Sequence, residues 1–426
     1  MKFDMSKEFN TPNHWASKKI GEIAKFNASS WTQKNAPALI HYIDIKSVST
    51  GSMEEPKPII FSEAPSRARR IVTNGSIIIS TVRPNLKQLI LLENCHEVNL
   101  TASTGFCVID VENEDLKWFL YTLITSEKFT TYLERIAEGA AYPAYKPTDI
   151  SESIITVPPP SELRMIANIA RSINSKINNN TRMNQTLEKI AQRIFKSWFI
   201  DFDPVKANAK GEPFAALDEN TQALFPSSFE ENKDELVPKG WNLVPLADVA
   251  HISTAKTAIE NITTENYIST DNMLAGRKGV TEATKLPNVS KVNAFMRDDI
   301  LFSNIRTYFK KVWYSSFDGG ASGDVLIWRP NTEEKISSEY LYQIVSGEDF
   351  IEYSVRTSKG VKMPRGDKEA LLKYQIVCPS KDVMHAFTDL IRPLITRIGE
   401  NQKQNIILQK IRERITPQLI SGKTTL

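Results

Sequence analysis

The chain has 426 residues, more than one ordinary core accommodates, so about two or three folded units are expected. With 41% hydrophobic, 24% charged and 9% aromatic residues it is globular in composition, which excludes wholesale disorder and a fibrous architecture. A formal net charge of +3 and a pI near 8.5 permit a polyanionic partner without requiring one.

The amino-terminal stretch MKFDMSKEFNTPNHWASKKI lacks an apolar run of signal-peptide length, and no window offers about 18 uncharged apolar residues. A cytoplasmic protein is expected. Cys95, Cys107 and Cys378 are scattered in strand-like contexts without CxxC spacing, so neither a disulfide framework nor a structural zinc site is expected.

In chain order, residues 1–157 form a first unit of short β-rich runs and turns, such as GSIIISTVRPNLK. Pro158, Pro159 and Pro160 stop the last of these runs, and Ser161 offers a helix N-cap. A long helix is expected over 158–202, apolar at Leu163, Ile166, Ile169, Ile173, Ile177, Leu187, Ile190, Ile194 and Trp198. Residues 203–240 change character: Glu212 to Glu235 holds seven acids and one lysine with Pro punctuation, the signature of a linker leading into a second repeat. Asp201-Phe202-Asp203 sits after an aromatic helix end and before Pro204, and reads as a helix exit turn rather than a metal site. A second β-rich unit, 207–378 including that linker, precedes a second long helix at 379–422 with Phe387, Leu390, Leu394, Ile398, Leu408, Ile411, Ile415 and Leu419 on its stripe.

The second half restates the first. Trp15 recurs as Trp241 at a shift of 226, Arg83 as Arg306 at 223, and Phe129 as Phe350 at 221. Gly139 and Pro143 recur as Gly360 and Pro364, and Leu187 as Leu408, again at 221. So regular a shift means internal duplication. Each helix then has a similar partner within the chain, and both carry an amide-rich centre, Asn178, Asn179, Asn180 and Asn184 against Asn401, Gln402, Gln404 and Asn405. An antiparallel coiled coil is expected, with paired Asn side chains fixing register. The fold class is therefore α+β, two β-rich domains related by duplication and separated by two long helices.

Chemistry is absent where an enzyme would show it. Pro417 replaces the first glycine of a phosphate-binding loop before Gly422-Lys423-Thr424, and no GxSxG, HExxH, NPPY or DPPY is present. Positive charge, by contrast, concentrates at matched places. Residues 59–90 hold five basic groups against one acid, 296–311 four against two, and 355–373 six against two. Arg, Lys, Asn, Ser, Thr and Tyr in one window suit DNA, because cations meet phosphates while Arg and Asn can bond base edges bidentately. The windows nominate Arg83, Asn85 and Lys87, with Arg306, Tyr308, Lys310 and Lys311 at the equivalent place, as DNA-contacting residues. Arg67, Arg69 and Arg70 are nominated for phosphates, and Lys146, Lys359, Lys362 and Arg365 flank the aligned Gly-Pro turns. Arg83 and Arg306 have a structural alternative, closing a strand-to-loop turn by bonding carbonyls.

The ordered motifs PSRARRIVTNGSIIISTVRPNL (65–86), TASTGFCVI (101–109), GAAYPAYKPTDI (139–150), VPPPSELRMI (157–166) and FKSWFIDFDPV (195–205), with the duplication, resemble the specificity subunit of type I restriction-modification systems over essentially the whole chain. The second repeat departs from the pattern: ISTAKTAIENITTENYIST lacks the PSRA stretch, and Asp324 is aligned with Phe106. The resemblance implies two target-recognition domains, each reading one part of a split, asymmetric DNA site, and helices that act as a ruler and bind two methyltransferase subunits. It implies that S-adenosylmethionine, ATP and Mg belong to the methyltransferase and motor-nuclease restriction partners, and that this chain has no catalytic residue, metal or cofactor of its own. Phe195, Trp198 and Phe199, read as an exposed aromatic helix end, are nominated as partner-binding, with burial against the chain's own linker as the alternative. The competing functions are an endonuclease or fused adenine methyltransferase with unrecognised motifs, and a protein-only coiled-coil scaffold.

Overall fold

A computed structural model describes residues 2–95, 97–232, 235–332, 335–360 and 363–423, so Lys362 lies outside the described residues. Two compact units emerge, Met1–Asn178 with Ile407–Leu426, and Asn179–Ile406. Each combines β-sheets, short helices and one stretch of each long helix.

In the first unit, alternation along Ile77–Ser80 and Phe106–Asp110 sends consecutive side chains to opposite faces of one sheet, and both faces are buried. Ile77, Ile79, Cys107 and Ile109 join the core that contains helix Glu114–Ile124, while Ile78, Phe106 and Val108 face a second core. That sheet runs Lys25–Phe26, Phe106–Asp110, Ile77–Ser80, Leu89–Leu91. A second sheet holds Lys57–Ile60, Leu39–Ile43, Leu100–Ser103 and Ala68–Ile71, the middle pair being parallel. Two helices, Glu114–Ile124 and Glu127–Ile136, are capped by Asn113 and Ser126.

The second unit repeats this plan with other residues. Ile300, Phe302, Leu326 and Trp328 take one face, and Leu301, Val325 and Ile327 the other. Ser337 caps the helix Ser338–Ser346, which is followed by Glu348–Arg356. The register corrects one alignment. Phe106 pairs with Ser80 and Val325 with Ser303, so Val325, not Asp324, takes the place of Phe106. Asp324 instead matches Gly105, since the carbonyl of each accepts the N–H of the residue leaving the neighbouring strand, Thr81 or Asn304.

The long helices are Pro160–Phe199 and Lys381–Ile420, 40 residues each. Within the second unit they run antiparallel: Asn180 donates to Gln404 and Asn405 at 2.8 and 2.9 Å, and Asn401 donates to Asn184 at 2.8 Å. Within the first unit Arg412 donates to Asn174 at 3.0 Å. Asn180 and Asn401 are almost fully buried, so each amide left unpaired by a slipped register would carry a desolvation cost of about 1–3 kcal/mol. Ile190, Leu390 and Ile411, expected on the apolar stripes, are instead exposed, because a seam centred on amides admits fewer positions than the periodicity suggests.

The acidic segment is folded rather than an open tether. Helices Asp203–Lys210 and Glu219–Ala223 and a hairpin of Phe229–Asn232 with Glu235–Pro238 lead Phe225 into the second core, while Glu212, Asp218, Glu219, Glu230, Glu231 and Glu235 stay at the surface. Asn208 donates to the carbonyls of Gln222 and Phe225, closing the segment on itself. This arrangement also corrects the reading of the helix end as an exposed partner surface. Trp198 and Phe199 are 3% and 1% exposed, and Phe195 packs against Phe199, Tyr340 and Phe387. Trp198 meets Phe225 edge to face at 4.9 Å, and Phe199 meets Trp241. Three aromatic rings at helical spacing are cheaper to bury than to expose. At the exit, Phe202 adopts a left-handed φ of 55°, Asp201 pairs with Lys196, and Ser197 donates to Asp203 at 2.7 Å.

Candidate nucleic-acid interface

Each unit carries the same five-residue turn. After strand Ile77–Ser80 the backbone enters the left-handed region at Arg83 (φ 50°), makes a 3-10 turn through Pro84–Leu86, and is left-handed again at Lys87 (φ 47°). After Ile300–Ser303 the sequence Arg306, Thr307–Phe309, Lys310 does the same, with φ 50° and 54° at its ends. The hydrogen bonds match one for one: Leu86 and Phe309 donate to the carbonyls of Arg83 and Arg306, and Lys87 and Lys310 to those of Pro84 and Thr307. A left-handed residue other than glycine costs about 1 kcal/mol. The turn keeps a cation at all four such positions, where glycine would relax the backbone.

A second loop braces each turn. The Arg83 N–H donates to the Pro143 carbonyl at 2.7 Å, and the Arg306 N–H to that of Pro364 at 2.9 Å. Gly139 and Gly360 hold φ near 100° at the bend of these loops, which explains the recurring Gly-Pro spacing. The bracing is closed by ion pairs. Lys87 binds Glu127, the first residue of its helix, and Lys310 binds Glu348 at 2.7 Å, the first residue of the equivalent helix. Burial works against ionisation of Glu348, yet Lys310 and Arg277 hold its carboxyl below the usual range.

The nominated residues therefore divide. Asn85, Tyr308 and Arg306 are exposed on the turns. Arg83 lies over the Tyr142 ring at 4.2 Å and also reaches the Ala141 carbonyl at 3.4 Å, so the carbonyl-bonding alternative describes part of what its side chain does. Lys87 and Lys310 are committed to helix carboxylates. Lys311 is half-buried, donates to the Thr270 carbonyl, and has its pKa lowered by burial, so it supports the loop rather than facing outward. Arg67 is exposed. Arg69 stacks on Phe61 at 4.5 Å, whereas Arg70 reaches Ser30 at 3.4 Å; adjacent strand residues face opposite ways, so these two cannot grip one run of phosphates together. Lys146 is exposed beside helix Pro147–Ser151, Lys359 pairs with Asp367, and Arg365 with Asp324 at 2.9 Å.

Two supporting residues were not anticipated from the sequence. Tyr142 is 68% exposed beneath Arg83, with the repeat pattern GAAYP as its signal. Arg277, left-handed between Gly276 and Gly279, donates from Nε to the Ser346 carbonyl at 2.8 Å and pairs with Glu348, while the Gly276 and Arg277 N–H groups bind the carbonyls of Phe309 and Lys310.

The second unit also holds a buried carboxyl. Glu188 accepts a hydrogen bond from the Tyr342 hydroxyl at 2.5 Å, and its Oε2 meets no donor among the described residues. Burial raises its pKa to about 6, against the opposing pull of Tyr342 and Arg277. A carboxyl whose folded pKa exceeds its unfolded one binds protons more tightly when folded, so stability is lost as pH rises from about 4.5 to 6. Glu188→Gln should accordingly raise the stability of the protein at pH 7.5, by up to ~2 kcal/mol, with the gain vanishing near pH 4.5. Denaturant melts of both proteins across that range check it; a gain independent of pH would show that the charge is not its cause.

Among the described residues no cluster of His, Cys, Asp or Glu could hold a metal ion, and no helix is long and apolar enough to cross a membrane. Residues 12–189 match the family model described as type I restriction modification DNA specificity domain. The chain is 25% identical over 464 aligned positions to the type I restriction enzyme HindI specificity subunit of Haemophilus influenzae, covering 96% of this chain and 99% of that protein. It is 27% identical to the MjaIX specificity subunit of Methanocaldococcus jannaschii, covering 83% and 78% respectively. The crystal structure of a type I restriction-modification S subunit from M. genitalium shares the fold, with a TM-score of 0.51, 13% identity, and coverage of 98% of this chain and 99% of that one. Over residues 12–189 the chain thus matches the type I restriction modification DNA specificity domain, and over most of its length it is similar to type I restriction enzyme specificity subunits.

Proposed function

We propose that this chain is the DNA-recognition subunit of a type I restriction-modification assembly. Each unit reads one part of a split, asymmetric site through the turn at Arg83 or Arg306. The observation that supports this most is the repetition of one strained, cation-bearing turn, with matching hydrogen bonds, in two units whose other residues have diverged. The lysines at the turn ends answer helix carboxylates, but among the described residues Arg83 and Arg306 pair with no acid, which leaves their charge for a partner.

In this reading the chain is non-catalytic. It acts in the cytoplasm and holds two methyltransferase subunits, which carry S-adenosylmethionine, while motor-nuclease subunits supply ATP- and Mg-dependent cleavage. With the helix-end aromatics buried, the partner surface falls to other residues. Native mass spectrometry of the copurified complex should give one recognition chain with two methyltransferase chains, and methylome sequencing should give a two-part motif with an unread spacer. A one-to-one endpoint would overturn the stoichiometry, and methyl transfer by the isolated chain would overturn the non-catalytic reading.

A further inference from the structure

The turn directs its residues unequally. Pro84 and Thr307 are buried, and Thr307 is further fixed by the Ser354 hydroxyl, which donates to its Oγ1 at 2.8 Å. The end lysines are tied to Glu127 and Glu348. The third residue of each 3-10 turn is left outside: Leu86 is 50% exposed and Phe309 42%. In the second unit Tyr308, itself 50% exposed, packs its ring on Phe309 at 4.7 Å. A large apolar side chain in water at one turn tip is ordinary. At the matched position of two diverged units, on backbones pinned from both sides, it marks a surface meant to be covered.

We infer that Leu86 and Phe309 are specificity-determining residues that bury apolar surface against bases of the two DNA half-sites. The occupant follows from the neighbours. Arg83 and Arg306 flank these tips, and among the described residues neither makes an ion pair with an acid, so whatever covers the apolar group also meets a cation whose charge no acid neutralises. A duplex offers both in one place, since the groove presents base faces and thymine methyls between rows of phosphates. The rigid turn also limits the ordering cost of such a contact. An apolar contact with a base releases no counterion and differs between bases, so it contributes discrimination rather than salt-dependent affinity. This inference rests on the recognition role proposed above.

The test uses the full chain in its methyltransferase complex, titrated with the duplex identified by methylome sequencing and with unrelated duplexes, at several salt concentrations. Leu86→Ala should weaken cognate binding by about five- to tenfold, leave unrelated duplexes and the salt slope unchanged, and relax discrimination within one half-site only. Phe309→Ala should do the same at the other half-site, and Leu86→Met should restore most of the loss. Thermal melts report folding, and because the turn is held by backbone bonds and by Pro84 and Thr307, neither melt should shift. A uniform loss over all duplexes with a shallower salt slope would make these residues phosphate-positioning groups and overturn the inference. Unchanged DNA binding with loss of a copurified subunit would reassign the tips to a protein contact, and unchanged behaviour in both assays would leave them no role. If the wild-type complex itself fails to prefer the methylated motif, the recognition role fails, which is a separate result.

Discussion

Arg83→Ala is expected to cost ~1–3 kcal/mol in binding of the cognate duplex and to relax methylation specificity at one position of one half-site, while the other half-site is read as before. Among the described residues the side chain is held by the Tyr142 ring and one long bond to the Ala141 carbonyl, whereas the turn is held by the Arg83 N–H on Pro143. Removing the guanidinium therefore leaves the backbone in place. Arg83→Gly separates the two contributions, since glycine also relieves the left-handed strain and should stabilise the fold by about 1 kcal/mol while losing the same specificity. Lys87→Ala should behave differently: it breaks the pair with Glu127 and loosens the turn, lowering affinity with little change in base preference. Arg69→Ala or Arg70→Ala, if either touches phosphate, should weaken all duplexes alike and flatten the salt dependence. Methylation profiles of these variants decide between the roles, and full retention of specificity by Arg83→Ala removes it from the readout.

The duplication, the long helices and the place of the turn were all legible in the sequence, for a common reason. Each is written as a period or a spacing: 221 to 226 residues between repeats, three to four along the helices, and Gly-x-x-x-Pro in both bracing loops. What was not legible depends on which neighbour arrives from far along the chain. Trp198 is apolar at helical spacing whether a partner protein or Phe225 covers it, and only the fold of the acidic segment decides. Lys87, Lys310 and Lys311 carry the same charge as Arg306, but their acceptors are 38 to 41 residues away and invisible to a local reading. Lys87 meets Glu127 as Lys310 meets Glu348, each at the first residue of an equivalent helix. The misplacement of Asp324 against Phe106 has a simpler cause. The segments joining these strands differ in length between the units, and ladder register, not residue likeness, shows that Val325 fills the place.

A four-residue insertion after Thr181, matched by four residues before Gln404, is expected to lengthen the unread spacer of the DNA target by about two base pairs and to leave both half-sites unchanged. Each long helix has 40 residues, which at ~1.5 Å per residue make a rod of about 60 Å. Four residues add ~6 Å, which at ~3.4 Å per base pair is close to two steps along the duplex. Four is also just over one turn, so the faces of the helices advance by only about 40° and the apolar seam stays continuous. The insertion has to be made in both helices because of the buried amides. Asn180 binds Gln404 and Asn405, and Asn184 binds Asn401; lengthening one helix alone would slide these partners apart and strand amides that have almost no access to solvent. A single insertion should therefore lower stability by several kcal/mol, while the matched pair should not, because Asn180 and Thr181 stay opposite Gln404 and Asn405, and Asn184 stays opposite Asn401. Methylome sequencing of cells carrying the matched variant reads the spacer directly. An unchanged spacer in a protein that melts like the parent would show that the helices do not set the separation of the half-sites.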